Sequence, residues 1–314
     1  MNTVTNNETY QNIELEKCME EIRYGEIILL GMNLIDRDVP IIIKNALNSE
    51  NHCLQLNENN LTFNGIKMLT DALKANTVLD ELLLSNNSNI GDNGIEYLVD
   101  LLMNYNRTLK VLDVSKINLT DCGLVLLANG LKANINLTEI RLGGNNFTNG
   151  GIKILADALK TNSTISDLDL SENNLTSECV KILADALKYN TTLKILDLSR
   201  NENIQDDGIE YLSQVLLDDN RTLSSLKLDM TGITDHGFKV LCDVVRTYST
   251  LKCLFVNCNR LITDACIDFL ILTLQETSTL RLLGMHYCYL SKHGRKLLHN
   301  QAQHSQVRLE LNQE

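Results

Sequence analysis

The phrase K-I-L-A-D-A-L-K occupies Lys153–Lys160 and recurs, letter for letter, at Lys181–Lys188, 28 residues on. A fixed period of that size is the mark of an array of stacked units, and it constrains the fold more than any other feature of the chain. Aligned at that spacing, Asn136, Thr164 and Thr192 open successive units that share the frame L-x-x-L-x-L-x-x-N-x-L, a small residue, then an apolar helix. The opening positions are Leu79, Leu109, Leu137, Ile165, Leu193, Leu223, Leu251 and Leu280, spaced 28 to 30 apart. Irregular outer units around Ile28 and Leu54 bring the expected number to ten. D-N-G-I-E-Y-L at Asp92 returns as D-D-G-I-E-Y-L at Asp206, and N-R-T-L at Asn106 returns at Asn220. Both offsets are 114 residues, or four units, which duplication of a four-unit block would explain.

Each unit carries two periods. Leu168-Asp169-Leu170 alternates and reads as a short strand. G-I-K-I-L-A-D-A-L-K places Ile152, Leu155 and Leu159 on one face of a helix, with Lys153, Asp157 and Lys160 outside. Lys153 and Asp157 are expected to pair at i,i+4. The helix is expected to end at Thr161-Asn162 with Asn162 in a left-handed C′ conformation. One unit has too little apolar surface to offset its own ordering, so stability must come from its neighbours. Strands ladder at about 4.8 Å and helices pack at about 10 Å. The row therefore bends with strands inside. The expected fold is α/β, a horseshoe-shaped solenoid of about ten repeats with a concave parallel β-sheet and convex α-helices.

An Asn after the strand recurs at Asn59, Asn87, Asn145, Asn173, Asn201 and Asn259, where its amide can satisfy buried backbone. Gly65, Gly94, Gly123, Gly151, Gly208, Gly237 and Gly294 admit the loop into the helix without a Cβ clash. Ile117, Thr231 and Cys288 replace the Asn, and Cys179 replaces the Gly, so those turns must be satisfied in another way. These residues resemble the ribonuclease-inhibitor-like class of leucine-rich repeats from about Gly25 to His304. The class includes repeat domains of NOD-like receptors, the Ran GTPase-activating protein and tropomodulin. The resemblance implies a protein-binding role on the concave face or its rim. The chain has no Trp, ends V-R-L-E-L-N-Q-E and lacks G-x-x-x-x-G-K-[ST], so it looks like a stand-alone repeat domain. The expected division is a cap segment over 1–24, the repeat domain over 25–304, and a tail or capping strand over 305–314.

Residues flanking the buried leucines point into the cavity. The central track is Gln55, Leu83, Asp113, Arg141, Asp169, Asp197, Lys227, Phe255 and Gly284. Glu81, Glu139 and Asp167 form a second track, and Glu58, Lys116, Glu172, Arg200, Met230, Cys258 and Tyr287 a third. The middle is acidic with Arg141 and Arg200 embedded. At the C-terminal end Cys253, Phe255, Cys258, Leu282, His286 and Tyr287 form an apolar and aromatic cluster suited to a binding hot spot, unless V-R-L-E-L folds over it. Cys253, Cys258, His286 and Cys288 are zinc-type residues without C-x-x-C spacing, and Cys288 takes the buried Asn position.

The net charge of −12 disfavours nucleic acid as the main partner, because phosphate binding needs a basic stripe. It suits a protein that is basic or brings an apolar anchor. The nine cysteines are scattered, no apolar run reaches the ~18 residues of a membrane span, and the N-terminus has no signal-peptide pattern, which together imply a reducing, cytoplasmic setting. Asn-x-Thr sequons such as Asn146-Phe147-Thr148 and Asn174-Leu175-Thr176 read as by-products of the repeat. H-E-x-x-H and G-x-S-x-G do not occur, and G-G-N-N-F-T-N-G-G from Gly143 is a repeat turn. The expected function is a non-enzymatic scaffold without cofactor. Two narrower readings stand beside it: a regulator of a small GTPase with Arg107, Arg141, Arg200 or Arg221 as donor, and a sensor module of an innate-immune receptor.

Overall fold

The computed structural model describes residues 10–21, 25–47, 51–218, 220–247 and 250–312. Residues 1–9 and 22–24 of the expected cap segment, and 313–314 of the tail, lie outside them. Eleven three-residue strands form one sheet: β1 (Glu26–Ile28), β2 (Cys53–Gln55), β3 (Glu81–Leu83), β4 (Val111–Asp113), β5 (Glu139–Arg141), β6 (Asp167–Asp169), β7 (Ile195–Asp197), β8 (Ser225–Lys227), β9 (Cys253–Phe255), β10 (Leu282–Gly284) and β11 (Arg308–Glu310). Their order in the sheet is their order in the chain, and every pair is parallel. α1 (Ile13–Glu21) precedes β1, and between the strands run α2 (Val39–Ala46), α3 (Phe63–Leu73), α4 (Gly91–Asp100), α5 (Asp121–Ala133), α6 (Asn149–Leu159), α7 (Ser177–Leu187), α8 (Gln205–Asp218), α9 (Asp235–Thr247), α10 (Ile267–Glu276) and α11 (Lys292–Ala302). The product is the expected α/β leucine-rich-repeat solenoid. The eleventh strand comes from V-R-L-E-L, which extends the sheet beside β10. No helix among the described residues is long and apolar enough to cross a membrane.

The middle residue of each internal strand is a buried aliphatic, as in Ile140 opposite Leu168, and the core runs the length of the array between sheet and helices. On α6, Ile152, Leu155 and Leu159 are buried as the helical period requires. The surface charge pairs differently from expectation. Asp157 takes Lys160 at 2.8 Å, not Lys153, and Asp71–Lys74 and Asp185–Lys188 repeat this i,i+3 pattern. An acid on the N-terminal side of its base is the better order along a helix.

The expected left-handed end at Asn162 is also corrected, because Asn162 is not among the residues of positive φ. Its side chain closes the turn instead. Oδ1 accepts from the N–H of Thr164 and Ile165, and Nδ2 donates at 2.7 Å to Leu131 O, one unit back. Asn134, Asn190 and Asn220 repeat the arrangement onto Leu102, Leu159 and Leu187. This second asparagine ladder explains the Asn-x-Thr motifs at Asn162, Asn190 and Asn220, where the Asn is buried and the second residue after it supplies an N–H.

The expected ladder after the strands is present. Asn173 Oδ1 accepts from Asn145 N at 2.8 Å, and Nδ2 donates to Leu142, Leu170 and Ser171 carbonyls. Where Asn is replaced, part of the pattern survives. Thr231 Oγ1 donates to Leu228 O at 2.8 Å, and the Cys288 thiol reaches Val256 O at 3.4 Å. Ile117 is fully buried, and its N–H donates to Asn145 Oδ1.

A third relay runs along the helix starts. Asp92, Asp206 and Asp235 each accept from the backbone N–H and hydroxyl of a Thr one unit on: Thr120, Thr234 and Thr263. The repeat glycine sits against that carboxylate. A Cβ on Gly123 would come within 2.3 Å of Asp92 Oδ1. At the exception, Cys179, the preceding unit offers Asn149 in place of Asp, and the thiol lies 2.7 Å from Asn149 Oδ1. The four-unit duplication shows in the contacts. Lys67 lies over the Tyr97 ring and Lys181 over the Tyr211 ring, and the ladder breaks Ile117 and Thr231 are themselves 114 apart.

Candidate interaction surface

Strand alternation sends the first and third residues of each strand to the concave side, and those residues are mostly half-buried while the middle one is sealed. Arg141 Nε donates to Glu139 Oε1 at 2.6 Å, and its guanidinium lies 4.0 Å from Asp113. Asp113 itself is buried beneath it and accepts from Ser115 N. Burial works against the charge on Arg141, but the Glu139 bond and the nearby Asp113 and Asp167 outweigh it and hold the guanidinium above its ordinary pKa. Lys227 pairs with Asp197 at 3.2 Å, and there too burial is outweighed, by Asp197, Asp167 and Asp169.

Asp167, Asp169 and Asp229 make no ion pair among the described residues. Burial, then Glu139, pushes Asp167 up to about 6. Burial also raises Asp169 and Asp229, countered in part by the side chains and then the backbone N–H groups of Ser171 and Asn257. Three partly desolvated carboxylates thus face the cavity without an ion pair of their own, and the more distant Lys227 and Arg141 only partly offset their burial.

The third track has a backbone signature that the sequence does not announce. Glu58, Lys116, Glu172, Arg200, Met230, Cys258 and Tyr287 all have φ between 52° and 61°. Gly144 holds the same place, which shows the residue that would be free of strain there. Each side chain accepts a cost of about 1 kcal/mol to stand at the rim. Glu172 bridges two of them, Lys116 and Arg200, the latter at 3.8 Å.

At the C-terminal end, β9 and β10 put Cys253 beside Leu282 and Phe255 beside Gly284. The Phe255 ring fills the space over Gly284, where a Cβ would come within 2.7 Å of Cδ1. His286 and Tyr287 lie with ring centroids 6.4 Å apart, and Tyr287 is 66% exposed. β11 lies beside this cluster in the sheet, and Glu310 comes within 3.9 Å of His286. Cys288 is buried and its thiol pushed up to about 12 by burial. Among the described residues no three His, Cys, Asp or Glu stand close enough to hold a metal ion.

Two of the four arginines weighed as donors are engaged by backbone carbonyls. Arg107 donates to the carbonyls of Leu102, Asn106 and Met103, and Arg221 to those of Leu216, Leu217 and Asp218. Arg141 is held by Glu139, and Arg200 is exposed beside Glu172.

A leucine-rich-repeat family profile matches residues 105–128, 133–156, 161–184 and 189–213. No curated protein sequence matches the chain significantly. Among solved structures, the Rad7–Elc1 complex of yeast shares the fold over 91% of this chain and 73% of that one, with 17% identity and a TM-score of 0.51. Looser likenesses, which carry no argument, are to the leiomodin-1 actin-binding site 2 (20% identity, 58% of this chain, 87% of that, TM-score 0.38) and to the TLR13–ssRNA13 complex (18%, 77%, 33%, TM-score 0.48).

Proposed function

We propose that this leucine-rich-repeat solenoid is a non-enzymatic cytoplasmic scaffold that binds a protein partner on its concave face. The partner brings basic side chains to the middle of the face and an apolar anchor to its C-terminal end. The observation that carries this reading is the set Asp167, Asp169 and Asp229, carboxylates drawn out of water that make no ion pair of their own, the neighbouring Lys227 and Arg141 being paired with Asp197 and Glu139. A Lys or Arg supplied from outside compensates them, whereas solvation alone leaves them raised. Glu139, Arg141, Glu172, Asp197, Arg200 and Lys227 frame the acidic centre. Phe255, Leu282, His286 and Tyr287 provide the aromatic end.

The test is capture of the partner followed by affinity measurement with variants. Asp169→Lys/Asp197→Lys is expected to weaken the complex by about tenfold or more, and Phe255→Ala by a comparable factor, with thermal unfolding little changed. A partner that binds all of these variants at wild-type strength would place the interaction elsewhere on the molecule.

A further inference from the structure

We propose that the helix-to-strand rim of the second duplicated block is a docking groove for an acidic peptide segment. It is a different surface from the concave face and does not depend on that assignment. The groove crosses the turns that lead into β7, β8, β9 and β10, and its lining is cationic and hydroxyl-bearing with no carboxylate: Lys194, Arg221, Lys252 and Arg281 with Thr and Ser between them. In a chain of net charge −12 such a run is a local inversion.

Three features mark it as more than scattered surface charge. The two guanidiniums are oriented by backbone. Arg281 donates to Ser278 O and Leu280 O at 3.1 and 2.9 Å, and Arg221 to Leu217 O at 3.1 Å. Lys194 and Lys252 are exposed and make no side-chain ion pair among the described residues. Thr279 Oγ1, in the groove lining, has no hydrogen-bond partner among the described residues, and Thr192 Oγ1 repeats this beside Leu193 at the start of the run.

The duplication provides an internal control. By stacking register the first-block counterparts of Lys194 and Arg281 are Asp80 and Ser166. In the first block Asp80 pairs with Lys110 at 3.1 Å, so the same rim there is self-neutralised. The cationic run belongs to the second block alone.

Length and charge select the occupant. Lys194 to Arg281 spans three strand spacings of about 4.8 Å, roughly 14 Å, which an extended peptide covers with about four residues. A nucleic acid that continued past this short run would meet a strongly acidic molecule. A peptide with a few Glu or Asp ends where the groove ends.

The experiment is fluorescence anisotropy of a labelled pentaglutamate peptide with the full chain at low salt. Binding should weaken as salt rises, and Lys194→Glu/Lys252→Glu should lower affinity by about tenfold or more. Lys74→Glu, on the helical side, should leave it unchanged. Both groove lysines are exposed, and a thermal melt of the double variant checks its fold. Absence of peptide binding, or equal binding by the double variant, overturns the proposal. So does a five-nucleotide RNA that binds more tightly than the peptide through the same two lysines.

Discussion

The two edges of the sheet are held by the same chemical group used in two ways. On the edge where strands lead into helices, Asn173 sits inside the stack. Its Oδ1 takes an N–H from the unit before, and its Nδ2 serves carbonyls of both units. On the edge where helices lead into strands, Asn162 uses Oδ1 within its own turn, and only Nδ2 crosses to the neighbour. The first arrangement ties adjacent units in both directions and sets their register. The second closes a local turn and fastens it to the end of the previous helix. Replacements follow the same logic. Thr277 stands in for Asn on the second edge and keeps both functions, through a bond to Val245 O and one accepted from Leu280 N. Thr231 on the first edge, with one hydroxyl hydrogen, lies 2.8 Å from its own unit's Leu228 O and 3.4 Å from Asn259 Oδ1 of the next unit, and bonds to no carbonyl of the unit before.

This difference ranks the expected losses. Asn173→Leu leaves an N–H and buried carbonyls of two units without partners and is expected to cost about 3–4 kcal/mol. Asn162→Leu strands two turn N–H groups and one helix-end carbonyl, for about 2–3 kcal/mol. Urea unfolding followed by circular dichroism measures both, and an inverted order would break the comparison.

The sequence shows the first edge and hides the second for a physical reason. L-x-x-N stands at a constant distance from the strand leucines, so its inward Asn was evident. The Asn of Asn162-Ser163-Thr164 looked like a helix stop. Its side chain instead bonds to the backbone two and three residues on, an alternative always open to Asn and one that leaves φ ordinary. The Asp–Thr relay was invisible because it joins residues 27 to 28 apart, such as Asp92 and Thr120, that meet only after stacking. At the surface, strand alternation identified which residues face the cavity. It did not show that Arg141 belongs to Glu139, that Asp113 lies beneath it, or that the third track is left-handed, since only Gly31, Asn86 and Gly144 mark that position by type.

A gain of stability sharpens the comparison further. Thr231→Asn restores an amide where the ladder has lost one, between Asn201 and Asn259, and Asn201 shows the target by donating to Leu170 O one unit back. The equivalent carbonyl for residue 231 is that of Leu198. The expected gain is about 0.5–1.5 kcal/mol, read as a higher urea midpoint. A loss would mean that the break is enforced by packing around residue 231 rather than tolerated.

The smallest expected effect lies between the edges, on the face itself. Asp167 has its carboxyl pushed up to about 6 from an ordinary 3.8, chiefly by burial and next by Glu139. The folded state therefore binds this proton more tightly than the unfolded chain does. Between pH 4 and 6 the native protein holds more protons, and stability falls as pH rises through that window. Asp167→Asn removes this contribution, so the variant should lose less stability than wild type on going from pH 4 to 6. The side chain keeps part of its solvent contact, so screening keeps the difference well below what the full shift implies. The edges carry no comparable uncompensated charge at the two asparagines, and Asn173→Leu and Asn162→Leu should shift the whole pH profile downward without altering its slope in this window. A bound cationic partner should draw the Asp167 pKa back toward the ordinary carboxylate range, which a side-chain carboxyl titration by NMR, with and without partner, would register as a downward shift.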